Sequence, residues 1–140
     1  MPFTLTQTRD QQYAASIYRQ VTAFQANHNE AEQRRYGSLA HKLPILIRTA
    51  GLAQALAFVD ARDNAASKQI LDDLGKVVGA GGRAGLLAAS RGSADQPLVE
   101  YMALTRETLT ALLWYKRYAQ SLLKVKDQHA ADEAAEGEAG

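Results

Sequence analysis

Residues 36–58, YGSLAHKLPILIRTAGLAQALAF, form the most apolar stretch of the 140-residue chain. Its period reads as a helix and not as a strand. Ile45, Leu52, Leu56 and Val59 follow one another at spacings of seven, four and three, which places them on one helical face. Leu46, Ala53 and Ala57 cover the adjoining face and leave a narrow strip with Arg48 and Gln54 for solvent. Pro44 is harmless in a first helical turn, so the spacing predicts a helix of about 15–18 residues opening there. Gly51 costs about 1 kcal/mol relative to Ala inside a helix, which suggests close approach of a neighbouring helix. Leu43, Pro44, Gly51, Leu56 and Phe58 all read as core.

Further helices flank this block. Thr4 with Gln7 makes a capping box, with Phe3 as its apolar staple, and Tyr13, Ile17, Val21 and Phe24 then recur at four, four and three. A second helix opens near Glu30 and weakens at Gly37. Another runs from about Ala65 to Val78 with Ile70, Leu71, Leu74, Val77 and Val78 inward, and is broken by the glycines from Gly79 to Gly85. A short helical turn through Leu86–Ala89 precedes a loop ending in Pro97. The last helix starts at Asp95 or Gln96 and extends to about Lys126, roughly 30 residues. The expected fold is all-α, a compact single-domain bundle of about five to six helices with a long C-terminal helix. Its helical domain spans residues 1–128, before an acidic tail over 129–140 whose Ala, Glu and Gly content predicts disorder.

The net charge of +1 conceals a division within the chain. Residues 127–140 carry five acids and no Lys or Arg, so residues 1–126 hold +6. That excess is concentrated in residues 31–62 and 96–126, each with five basic residues against two acids, whereas 1–30 and 63–95 balance to zero. The chain has no Cys, which removes disulfides, thiolate metal sites and thiol nucleophiles, and points to an intracellular, cytoplasmic protein. No apolar run reaches the ~18 residues of a membrane span.

Chemistry is thinly supplied. His28, His41 and His129 are far apart and form no metal-binding pair, so no metal or cofactor is expected. Asp72 and Asp73 point about 100° apart on a helix, and Asp60 and Asp63 sit at a helix end, so these carboxylates read as solvated charge. The glycine run lacks the ending of a phosphate loop and follows a helix, not a strand. No catalytic residues are assigned, and a small hydrolase built on Asp72, Asp73 or His41 finds no supporting spacing.

On the last helix, Leu98, Tyr101, Met102, Thr105, Leu109, Leu112, Ala119 and Leu123 share a face that reads as core. Arg106, Arg117 and Lys124 fall within ~20° of one another on a second face. A third side carries Leu104, Ala111, Tyr115, Tyr118 and Leu122 with Trp114 at its edge. A second layer of the domain or a subunit contact could cover it equally well. Clusters of cations with few acids, Arg34, Arg35, His41, Lys42 and Arg48 in one and Arg106, Lys116, Arg117, Lys124 and Lys126 in the other, suit a polyanion.

The 36–58 block, with Trp114-Tyr-Lys-Arg-Tyr-Ala119 in the final helix, resembles the small helical subunit of the type III-B CRISPR RNA-guided effector, the Cmr complex. The resemblance implies a non-catalytic subunit in antiviral defence. Such a subunit stacks with copies of itself and with other subunits of the complex, lining the channel for crRNA and target RNA. It implies RNA contacts from His41, Lys42, Arg48, Lys116 and Arg117, to which the charge ridge adds Arg106 and Lys124. Trp114, Tyr115, Tyr118 and Leu122 are the expected subunit interface. The rival reading is a protein–protein adaptor with no direct RNA contact.

Overall fold

A computed structural model describes residues 8–92 and 97–123, and shows six helices and no strand among them. They are α1 (Arg9–Asn27), α2 (Glu30–Ala50), α3 (Leu52–Asp60), α4 (Ala65–Val77), α5 (Gly82–Arg91) and α6 (Leu98–Leu122). The expected Thr4–Gln7 box and the acidic tail lie outside the described residues. The capping box that opens α1 is Thr8 with Gln11: the Gln11 amide donates to Thr8 Oγ1 at 3.2 Å, and the Thr8 amide to Gln11 Oε1 at 2.8 Å. Tyr13, Ile17, Val21 and Phe24 are buried, as their spacing requires. Asn29 caps α2 through the Glu32 amide, and Glu30 and Glu32 place negative charge at its positive end.

α2 is the central helix. Six consecutive residues, Tyr36 to His41, are buried, more than one full turn, so neighbours enclose it on every side there. It packs against α3, α4 and α6. The helix passes straight through Gly37 and Pro44, although the proline ring removes the donor that would reach the Ala40 carbonyl. The 36–58 block is therefore two helices, divided not at Pro44 but at Gly51. There φ is 88° and ψ 159°, a region essentially reserved for glycine. Gly51 closes α2 by donating to the Ile47 carbonyl at 2.9 Å and opens α3 by accepting from Ala55 at 3.0 Å. Because Gly51 has no capping side chain, the Tyr101 hydroxyl of α6 accepts from the Ala53 amide instead, at 3.2 Å. The turn overturns two expectations, since Ile45 is 44% exposed and Phe58 51% exposed, with the Arg62 guanidinium over its ring.

α4 and α5 form a hairpin at minimal separation. A Cβ on Gly75 would lie 2.0 Å from the Gly82 carbonyl oxygen, so only glycine permits this approach. The glycine run is thus a packing element, and α5 begins inside it. Asp72 Oδ1 accepts the Arg83 amide at 3.0 Å at the start of α5, and Asp60 pairs with both Arg83 and Lys68.

Asp73 is buried, contrary to the expectation of a solvated charge. Its carboxylate accepts from the Tyr36 hydroxyl at 2.7 Å and from Gln69 at 2.8 Å, and burial holds its pKa above the ordinary carboxyl value. No described helix is long and apolar enough to cross a membrane.

Gly51→Ala is expected to lower stability by about 1–3 kcal/mol, the usual cost of a side chain in this backbone region, read from the denaturant midpoint. An unchanged midpoint would show that the α2–α3 turn relaxes freely. Asp73→Ala should cost about 1–3 kcal/mol by leaving the Tyr36 hydroxyl buried without an acceptor. Between the ordinary carboxyl value of 3.8 and the raised folded value, the folded chain retains a proton the unfolded chain has released. Asp73 therefore makes stability fall as pH rises through that window, and Asp73→Asn should remove this component of the slope in a pH series of unfolding curves.

Candidate nucleic-acid interface

Two pairs of contacts fix α2 against α6: the Tyr36 and Tyr115 rings lie 6.4 Å apart, and the Tyr101 hydroxyl meets the Gly51–Ala53 turn. The two helices therefore run antiparallel, and Lys42 to Arg48 lie at the height of the first half of α6. On α2, Lys42 and Arg48 sit about 60° to either side of the exposed Ile45, with Arg48 exposed and Lys42 half-buried. On α6, Arg106 and Arg117 are exposed, eleven residues or about 16 Å apart on one face, and Lys116 is half-buried beside them. Lys124 lies outside the described residues. Among the described residues, no ion pair engages Arg48, Arg106 or Arg117.

His41 does not belong to this surface. It is 1% exposed, its Nδ1 donates to the Gly37 carbonyl of the preceding turn at 2.9 Å, and its Nε2 meets no partner among the described residues. The enclosure of α2 removes it from any contact with RNA. Its place beside Lys42 in the sequence conceals this, because consecutive residues on a helix point about 100° apart.

The aromatic side of α6 also differs from expectation. Tyr115 is 0% exposed and its hydroxyl donates to Gln20 of α1, so it is core and not interface. Trp114 and Tyr118 are half-buried. Their rings stack at 5.8 Å, Tyr118 meets the edge of Tyr18 at 5.5 Å, and Trp114 Nε1 donates to Asp10 at 3.4 Å. Leu122 is half-buried, and its carbonyl accepts from Gln25 at 2.8 Å. α1 thus covers the side of α6 expected to meet a subunit.

The apolar surface left uncovered is elsewhere. Leu98, Val99, Met102 and Leu113 of α6 are 72%, 67%, 49% and 52% exposed, although the helical period assigns Leu98 and Met102 to the core stripe. The buried stripe consists instead of Thr108, Ala111, Leu112, Tyr115 and Ala119. A signal for the exposed stripe is present in the sequence: Val99, Met102, Arg106, Leu109 and Leu113 alternate at three and four, the spacing of a second helical seam. Arginine and apolar side chains are interleaved along it.

No group of three or more His, Cys, Asp or Glu positioned to hold a metal occurs among the described residues. His28, like His41, bonds its own helix, through the Phe24 carbonyl at 3.1 Å. Asp60, Asp72 and Asp73 are all engaged in caps, ion pairs and the buried network described above.

Comparison with known proteins places the arrangement. A curated relative from Thermus thermophilus, the CRISPR system Cmr subunit Cmr5, is 41% identical over 117 residues, covering 84% of this chain and 97% of the relative. The crystal structure of a CRISPR-associated Cmr5 family protein from the same organism superposes with a TM-score of 0.73 at 41% identity, over 84% of this chain and 98% of that one. The profile of the CRISPR-associated Cas_Cmr5 family matches residues 9–122, the first residue of α1 to the last of α6. On this agreement of sequence and fold, the chain belongs to the Cas_Cmr5 family of CRISPR-associated proteins.

Proposed function

We propose that this chain is the small, non-catalytic subunit of a type III-B Cmr effector, stacking along the complex and lining the channel that holds crRNA and target RNA. Membership of the family, whose curated relative is named as a Cmr subunit, supports the assembly role. One observation carries the RNA role: Arg48, Arg106 and Arg117 project exposed from two antiparallel helices with no acidic partner among the described residues. Cations of this kind bind phosphates through charge and counterion release and leave sequence reading to base pairing. Lys42 and Lys116 stand at the edges of the same surface, and Lys124 extends the α6 ridge in the sequence. With His41 and the carboxylates of Asp60, Asp72 and Asp73 committed to the fold, catalysis falls to other subunits in this reading.

A second reading, an adaptor that meets only protein, is favoured by the exposed Val99 and Met102 ahead of Arg106 and the exposed Leu113 between Arg106 and Arg117. Met and Arg are enriched at protein interfaces. In the proposed arrangement this apolar part of the ridge, in place of Trp114 and Tyr115, meets neighbouring subunits.

The triple variant Arg48→Glu, Arg106→Glu, Arg117→Glu separates the two readings. Loss of three phosphate contacts should weaken binding of single-stranded target RNA by the assembled complex. The slope of log K against log salt should fall by about two, at ~0.7 per contact. Circular dichroism should stay unchanged, since all three side chains are exposed. Equal affinity of variant and wild type across the salt series would leave the adaptor reading standing, and Met102→Asp with Leu113→Asp should then block assembly alone.

A further inference from the structure

Apart from the exposed arginines of α6, and sharing no residue with them, is a cleft between α1 and α4 with a volume of about 500 Å³. That is within the range of about 300–1,000 Å³ typical of small-molecule sites. Its floor is polar and closed. Asp73 is 5% exposed, Gln69 donates to its Oδ1 at 2.8 Å, and Gln20 Nε2 donates to the Asp73 carbonyl at 3.0 Å. One wall ends in rings. Phe24, 2% exposed, packs at 4.4 Å on Tyr36, and His28 stacks on Phe24 at 3.8 Å with the planes only 10° apart. Tyr36, Phe24 and His28 therefore form an aromatic column that begins in the core and terminates at the cleft. Its last member, His28, is half-buried, and the Nδ1 bond to the Phe24 carbonyl fixes the plane of its ring.

The rim is cationic on both sides. Arg19 projects from α1, with only a 3.4 Å contact to the Ser16 hydroxyl. Lys76 projects from α4, held at 3.0 Å by Asp72 with its side chain 63% exposed. The cleft thus has a planar stacking surface at one end, a polar floor closed by its own hydrogen bonds, and two basic side chains at the mouth, one of them paired with Asp72. A planar heterocycle carrying a phosphate meets both the ring and the basic side chains, whereas an inorganic anion uses only the rim and a neutral heterocycle only the ring.

We propose that the α1–α4 cleft binds a single nucleotide, its base stacked against the outer face of His28 and its phosphate held between Arg19 and Lys76. The nucleotide has two chemically equivalent sources, a free mononucleotide or one unpaired residue of an RNA strand. The site does not depend on the RNA surface formed by Arg48, Arg106 and Arg117.

The full chain, labelled with 15N, is titrated separately with 5′-AMP, 5′-CMP, adenosine, inorganic phosphate and a short single-stranded RNA. At least one mononucleotide should give saturable amide shifts centred on Arg19, His28, Gln69 and Lys76, with a Kd of roughly 1 mM or below. Adenosine and phosphate should each bind at least tenfold more weakly. Arg19→Glu and His28→Ala should each raise the Kd about tenfold, and His28→Phe, which keeps a stacking ring, should restore binding. These variants lie at the rim, and the undisturbed spectrum elsewhere reports that they fold. RNA that shifts the same residues and is displaced by mononucleotide identifies a strand residue as the occupant. Mononucleotide shifts that RNA cannot compete away identify a free nucleotide. Absence of shifts up to roughly 10 mM overturns the proposal. So does an equal response to phosphate that His28→Ala leaves unchanged, which would mark an adventitious ion only. The triple arginine variant should retain the cleft's response, so failure of the RNA surface and failure of this site are told apart.

Discussion

The 2.7 Å hydrogen bond from the Tyr36 hydroxyl to the Asp73 carboxylate joins the central helix α2 to α4, and further contacts extend from it to two more helices. Gln20 of α1 donates to the Asp73 backbone carbonyl and accepts from the Tyr115 hydroxyl of α6. α1, α2, α4 and α6 thus meet in one connected polar network inside a largely apolar core. Hydrophobic contacts are non-directional and would tolerate small rotations of each helix, whereas a buried phenol and carboxylate must find each other or remain unsatisfied. Burial raises the pKa of the Tyr36 and Tyr115 phenols as well as that of the Asp73 carboxyl, as a low-dielectric setting requires. The network fixes which face α2 turns toward α6, and hence where Lys42 and Arg48 emerge. It also fixes the floor of the α1–α4 cleft. Both candidate surfaces inherit their geometry from the same interior bond.

How much of this could be read from the sequence varied with how local the determining physics is. The stripe Tyr13, Ile17, Val21 and Phe24 was legible because one helix packed on one side obeys a simple period. α2 was harder. Over Tyr36 to His41, where α2 is buried on every side, there is no polar face and the periodicity vanishes, and Gly37 and Pro44 look like boundaries when they are interior positions of the helix. The real boundary, Gly51, carries a left-handed backbone that no periodicity reports, and the oxygen capping α3 comes from Tyr101, about fifty positions away. On α6 the period correctly shows three faces but not which one the rest of the bundle covers. That depends on where α1 docks, and Tyr18 and Asp10, which meet Tyr118 and Trp114, give no local sign of it.

The candidate site followed the same rule. Arg48, Arg106 and Arg117 are exposed, which local reading anticipates because exposed charge is cheap and its position follows from helical phase alone. The same reading failed for His41, whose burial depends on neighbouring helices, and for Asp73, whose partners Tyr36 and Gln20 are distant in sequence. Buried polar residues are where local reading is weakest, since only a tertiary partner offsets the cost of desolvation.

The charge balance of the segments acquires a physical meaning from these contacts. Residues 63–95 balance to zero, and their charges are largely spent within the fold: Asp72 receives the Arg83 amide and holds Lys76, while Lys68 and Arg83 converge on Asp60 of the preceding helix. Asp72 is held below the ordinary carboxyl range first by that amide and then by Lys76. These pairs bind α3, α4 and the start of α5 to one another. Asp60 is one of only two acids in residues 31–62, so drawing it toward Lys68 and Arg83 leaves the cations of its own segment still less opposed. For Arg48 the nearest acid in sequence is Asp60, which Lys68 and Arg83 engage, and for Arg106 it is Glu107, which pairs with Arg9 of α1 at 3.5 Å. In a monomer such unopposed charge contributes nothing to folding and raises self-repulsion. A partner bearing phosphates would convert that repulsion into binding free energy, which is the physical argument behind the proposed RNA surface of Arg48, Arg106 and Arg117.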